Sequence, residues 1–163
     1  MARQYPERAA IFHGTQVVAT YAQWAQRCAH LAQQFVDAGL KPGDRVALFM
    51  HNHPRYLEVM FGAWWAGLAV VPINAKLHVR EAQWIIDNAQ VSWAFVTSHV
   101  SADVTTDIGA PLQGVRRVID VDSQEANDLW TIPTEAHTKA DSSIKPITER
   151  QSDDLAWLFY TSG

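Results

Sequence analysis

Thr161, Ser162 and Gly163 are the residues best suited to chemistry, because they follow directly on the apolar run Leu155-Ala156-Trp157-Leu158-Phe159-Tyr160. A strand that feeds a Thr/Ser/Gly loop is an arrangement for holding phosphate. Glycine lets the backbone come close, successive N–H groups converge on anionic oxygens, and hydroxyls add donors. A bare Thr-Ser-Gly is more often an ordinary strand-to-turn transition, so its context has to decide.

Other tempting residues read more plainly. His51 and His53 stand two apart without a cysteine or carboxylate cluster, which makes them a loop pair near a helix start rather than metal ligands. Trp64 and Trp65, two of seven tryptophans, point about 100° apart on a helix. One is expected in the core and the other at a domain surface. Cys28 lies on an apolar stripe and reads as a small core residue rather than a nucleophile. Asp153 and Asp154 read as a solvated loop end before a strand rather than a Mg²⁺ site.

The elements that must position the loop are legible upstream. Ala10-Ile11-Phe12 and Gln16-Val17-Val18-Ala19 flank His13-Gly14-Thr15 and predict a hairpin. Thr20 with Gln23 matches a capping box. Trp24, Cys28, Leu31 and Phe35 then form one helical stripe, which Gly39 and Pro42 close. Arg45 to Met50 is a continuous apolar run, expected to be a strand covered on both faces. A helix beginning at Asn52-His53-Pro54 and stopped by Gly67 follows, then a strand from Leu68 to Ile73. The next helix spans about His78 to Asn88 with Trp84, Ile85 and Ala89 facing inward, and strands are expected over 91–97 and 115–121. Strand starts near 45, 68, 91 and 115 recur roughly every 23 residues, a βαβ rhythm. The Ser101 to Pro111 stretch fits at most a short helix. Residues 122–154 turn polar and read as a surface excursion, with a short helix around Glu125 to Trp130.

Composition narrows the classes. The chain has 163 residues, 48% hydrophobic and 18% charged, with a formal net charge of −4. That is enough apolar material for a packed domain or a large piece of one. No basic patch supports a nucleic-acid partner. The lone Cys28 fits a reducing cytosol, and the polar start is unlike a signal peptide. The longest apolar stretch, Val59 to Ile73, is interrupted by Gly62, Gly67 and Pro72. It falls short of the roughly 20 residues of a transmembrane helix. These features predict a cytoplasmic protein with no transmembrane segment.

Taken in order, five segments resemble the acyl-CoA synthetase, or AMP-forming (adenylate-forming) ligase, superfamily. They are Thr20-Tyr21-Ala22-Gln23-Trp24, Gly39 to Ala47, Asn52-His53-Pro54-Arg55-Tyr56, Gly67 to Asn74, and Asp154 to Gly163. In that family the last motif continues Thr-Thr-Gly-x-Pro-Lys-Gly. The resemblance implies an α/β fold, with a βαβ-rich parallel sheet flanked by helices behind an N-terminal hairpin. Residues 1–163 would then be the N-terminal portion of the AMP-binding domain, cut inside its phosphate-binding loop. The implied reaction activates a carboxylic acid with ATP and Mg²⁺ as acyl-AMP, then transfers it to coenzyme A. A fatty acid is the first expectation for the substrate and an aryl acid the second. Amino-acid adenylating and luciferase-like relatives are poorer fits. Thr161, Ser162 and Gly163 would bind the nucleotide rather than act as acid or base. The loop lysine, the adenine and ribose contacts and the C-terminal lysine would lie further on, so this chain alone is expected to be inactive. It is also expected to be poorly soluble, because strand 155–160 would lack partners. His53 and His78 depart from the family's helix caps, each expected to weaken a cap by about 1 kcal/mol. The rival class is a non-catalytic nucleotide-binding or interaction module. Against its dinucleotide and P-loop versions, no Gly-x-Gly-x-x-Gly follows the first long strand and no Gly-Lys-Ser is present.

Overall fold

The computed structural model describes residues 1–108, 112–132 and 149–161. Strands β1 (Ala9–His13) and β2 (Gln16–Thr20) pair antiparallel as the hairpin. Thr20 then caps α1 (Tyr21–Asp37) as expected. Its Oγ1 accepts the Gln23 N–H at 3.3 Å, and Gln23 Oε1 accepts the Thr20 N–H at 2.9 Å.

The parallel sheet is built from β3 (Arg45–Met50), β4 (Ala69–Asn74), β5 (Val91–Val96) and β6 (Arg117–Asp120), in the order β4-β3-β5-β6. The connection from β3 to β4 is α2 (Arg55–Trp65), and α3 (Val79–Ala89) carries the chain back past β3 to β5. Crossovers of one hand that leave in opposite directions must lie on opposite faces of the sheet. The core is accordingly split in two. Val46, Leu48, Val70 and Phe95 pack against α1 and α2, while Ala47, Phe49, Val71 and Ile73 pack against α3. Two-sided burial explains why these strands are apolar without alternation.

Helix ends follow their glycines. Gly39 and Gly67, each at φ 78°, close α1 and α2 with paired bonds. Leu40 N–H reaches Phe35 O and Leu68 N–H reaches Ala63 O. A side chain at either glycine would strain the left-handed turn. The stretch the sequence left open forms α4 (Ser98–Ile108), on the α3 face; residues 109–111 of that stretch lie outside the described residues. Within the polar stretch, α5 (Gln124–Trp130) is the anticipated short helix, with Ala126 and Leu129 buried in the α1/α2 core. Residues 133–148 of that stretch lie outside the described residues.

Three expectations need correction. Trp84 does not face inward: it is 61% exposed, because Val79, Ala82, Ile85, Ile86 and Ala89 already fill the buried face of α3. His78 does not weaken its cap. Its Nδ1 accepts the Arg80 N–H at 3.2 Å while Glu81 returns a bond to the His78 N–H at 3.1 Å, so an imidazole does the work of a threonine hydroxyl.

Residues 155–160 do not form a full strand. They join the outer edge of β4 in parallel by one bridge, Val70 with Trp157. Its two bonds are Val70 N–H to Ala156 O and Leu158 N–H to Val70 O, both 2.9 Å. The neighbouring outward positions on β4 cannot extend the ladder with a donor. The Leu68 N–H is spent closing α2, and Pro72 has no N–H.

Candidate functional site at the C-terminal edge of the sheet

In a parallel sheet, loops leaving the carboxyl ends of the strands share one edge, and ligands of such folds bind there. The strand order puts the topological switch between β3 and β5. That gap is occupied by side chains. The His51 N–H donates to Thr97 Oγ1 at 3.3 Å, and the His51 and His99 rings meet edge to face at 6.3 Å. Asp122 Oδ2 accepts the Ser98 N–H at 2.9 Å, and the Ser98 hydroxyl lies 3.1 Å from Asp120 Oδ2. Two carboxylates at this mouth disfavour an anionic ligand.

One strand over, the edge opens. A cavity of about 680 Å³ lies between the ends of β3, β4 and the 155–160 segment. Its polar lining is His51, Asn52, Tyr56, Asn74, Lys76 and Tyr160, with no carboxylate among the lining residues. Burial pushes the Tyr56 phenol up from its ordinary value, so it stays a neutral donor. Asn74 Oδ1 accepts the Lys76 N–H at 3.0 Å, which turns the loop and leaves the Lys76 side chain exposed. Tyr160, at this cavity, leads straight into Thr161, which is exposed. Of the three residues expected to bind phosphate, Thr161 follows Tyr160 directly and is exposed, and Ser162 and Gly163 lie outside the described residues.

Sequence reasoning passed over Asn52, Asn74, Lys76 and Tyr160 as site residues. The available signal was a polar residue or turn placed directly after each buried parallel strand. The remaining candidates behave as plain structure. His51 and His53 diverge to different partners, and Cys28 is buried, its thiol pushed well up by burial first and by nearby Glu58 second. Asp154 Oδ2 accepts the Gln151 N–H at 2.8 Å and pairs with Arg150 at 3.0 Å, a closed loop end. Trp64 and Trp65 are both half-buried against the core, rather than one inside and one out. Trp64 donates its indole N–H to Ala156 O at 3.0 Å and meets Trp157 at 4.6 Å, so it fastens the segment that leads to the loop.

His53 links two of the edge loops. Its Nδ1 accepts the Arg55 N–H at 3.1 Å and its Nε2 faces Asp122 Oδ1 at 3.3 Å. Its pKa is lowered from the ordinary 6.5, by burial first, with Arg55 and His13 adding to the effect and Asp122 and Glu58 opposing it. Burial lowers that of His30 as well. A histidine depressed in the folded state gives its full contribution above the unfolded value and loses it as pH falls through that value toward the folded one. Unfolding midpoints should therefore fall between about pH 7 and about pH 5.5. The fall should be smaller in His53→Asn, which keeps an acceptor near Nδ1 but cannot titrate. Identical pH slopes in the two proteins would show that His53 contributes nothing to the linkage.

Comparison with known proteins identifies the family and the fold. A family model described as AMP-binding enzyme matches residues 1–163. Feruloyl-CoA synthase from Amycolatopsis sp is 35% identical over 163 residues, 99% of this chain and 29% of that protein. The N-terminal domain of FACL13 from Mycobacterium tuberculosis superposes with a TM-score of 0.81 at 30% identity, covering 99% of this chain and 39% of that one. A fatty acyl CoA synthetase from Mycobacterium tuberculosis gives a TM-score of 0.81 at 27% identity, covering 99% and 31%. The chain thus spans under a third of the curated relative it matches.

Proposed function

The chain belongs to the AMP-binding enzyme family, and from that premise we propose that it is the N-terminal portion of the adenylation domain of an ATP-dependent acid–thiol ligase. The complete protein would convert a carboxylic acid to acyl-AMP with release of pyrophosphate, and pass the acyl group to coenzyme A. The observation that carries the reading is the approach of residues 155–160 to the sheet edge, where Tyr160 lines a polar cleft and Thr161 follows.

The work assigned to this chain is positioning and electrostatic. Attack of a carboxylate on the α-phosphate builds negative charge on the phosphate oxygens, and preorganised donors lower that barrier. Thr161, Ser162 and Gly163 would supply hydroxyl and backbone N–H donors to those oxygens. Among the described residues that line the cleft there is no carboxylate for Mg²⁺. The metal would arrive with the nucleotide's own phosphates, as is usual for Mg²⁺. The thiol site and the acyl pocket would be formed mainly by residues other than these. Phe159, 68% exposed, supports further chain pairing beside its segment in the complete protein. The single cysteine, free and buried, supports the cytoplasm as its location.

A fatty acid remains the first substrate, supported by the likeness to the fatty acyl CoA synthetase. An aryl acid is the second, supported by the higher identity to feruloyl-CoA synthase. ATP–pyrophosphate exchange by the full-length protein over saturated fatty acids and hydroxycinnamic acids distinguishes them. Exchange with the fatty acids is the expected result; exchange only with the aromatic acids replaces the first substrate, and no exchange with any acid overturns the ligase reading. Residues 1–163 alone should release no pyrophosphate from ATP, Mg²⁺ and the matched acid, and release would refute that expectation.

A further inference from the structure

Beyond Leu158 the sheet no longer holds the chain that enters the Thr-Ser-Gly loop. The β4 ladder stops at Val70 because Pro72 has no proton to give the Leu158 carbonyl. Two side chains of α3 take over on that side of the sheet. The Tyr160 hydroxyl donates to Asn88 Oδ1 at 2.7 Å, and the Trp84 ring meets the Tyr160 ring edge to face at 5.9 Å. Trp84 is the large apolar side chain that α3 leaves out of the core, 61% exposed. Asn88 is exposed and one residue from the end of the helix. Both reach across to Tyr160, the second of the two residues between the last backbone bond, at Leu158, and Thr161.

We propose that Asn88 and Trp84 are positioning residues for the phosphate loop. They hold Tyr160, and through it the backbone at Thr161, where a proline has removed the sheet's own hold. The inference rests on the reading that this loop binds the phosphates of ATP. It makes α3, which contributes no residue to the cleft lining, a determinant of nucleotide affinity through the hydrogen bond and the ring contact.

The test uses the full-length protein with Asn88→Ala, Tyr160→Phe, Trp84→Ala and the conservative Asn88→Asp. Loss of a hydrogen bond of this kind should raise the KM for ATP about 3- to 10-fold in Asn88→Ala and Tyr160→Phe. Their double variant should be no worse than either alone, since both remove one bond. Asn88→Asp keeps the acceptor and should stay near wild type. Trp84→Ala should raise the KM for ATP without lowering the unfolding midpoint, and the KM for the acid should not move in any of them. An unchanged KM for ATP, or equal rises for ATP and acid with a lowered midpoint, would overturn the proposal. Absence of exchange in the wild-type protein would instead sink the ligase reading. The positioning claim has its own readout in that case, amide hydrogen exchange at Leu158, the last N–H of this segment bonded to β4. It should quicken about 3- to 10-fold in Asn88→Ala and Tyr160→Phe, and unchanged exchange would end it.

Discussion

Arg27→Met should cost the fold about 2–3 kcal/mol in denaturant unfolding. Glu58, on α2, is 1% exposed, and its Oε1 accepts from Arg27 Nη1 of α1 at 2.9 Å. Removing one partner of a buried pair leaves a charge without water or counterion, which costs roughly 3–5 kcal/mol when both are fully enclosed. Two features hold the loss below that range. The Arg27 side chain keeps 30% of its exposure, and Arg55, one turn before Glu58, still contributes positive charge.

The same picture makes the pair asymmetric. Glu58→Met should cost less than Arg27→Met, because an abandoned Arg27 can turn to solvent whereas an abandoned Glu58 cannot. Arg27→Met with Glu58→Met should recover most of the loss. A cost for Arg27→Met below about 0.5 kcal/mol would mean that water reaches Glu58 and that the pair behaves as a surface bridge.

Phe35→Ala is the second large effect, at about 3–5 kcal/mol. Phe35 is fully buried where α1 crosses the sheet, with its ring edge to face with Trp93 at 5.5 Å and with Phe95 at 6.0 Å. Truncation removes both aromatic contacts. It opens a void among β-strand side chains that are fixed by the ladder and cannot collapse into it. The denaturant midpoint should fall with the slope unchanged, as a pure loss of stability requires. A loss under about 2 kcal/mol would show instead that α1 moves onto the sheet and closes the space.

How far the sequence alone could go varies by element. Thr20 and Gln23 fix the start of α1 because a capping box depends only on residues three apart. Gly39 and Gly67 fix two helix ends for an equally local reason, since only glycine accepts the left-handed turn without strain. Arg45 to Met50 and its sister runs betray a two-sided sheet because each strand must match apolar neighbours on both faces. Trp84 went the other way. Its hydrophobicity argued for burial, but the inward arc of α3 was already filled by smaller side chains, and its partner Tyr160 lies 76 residues further along. His78 could serve as a cap because Nδ1 of its imidazole reached the Arg80 N–H, a geometry that residue type alone does not decide.

The candidate site divides along the same line. Thr161-Ser162-Gly163 can be proposed from sequence because a phosphate loop needs small residues and hydroxyls in unbroken order. The cleft beside it was not, since Asn52, Asn74, Lys76 and Tyr160 come from the ends of β3 and β4 and from the 155–160 segment, which only the tertiary arrangement brings to one edge. By itself, then, the sequence determined the local chemistry: caps, turns, apolar runs, the loop motif and the family they resemble. The tertiary structure decided which strand edges lie side by side, that a proline falls on the outward face of β4, and that α3 reaches across to the chain entering the loop. Those depend on backbone groups far apart in sequence meeting at hydrogen-bond distance, and no pattern within one segment carries that information.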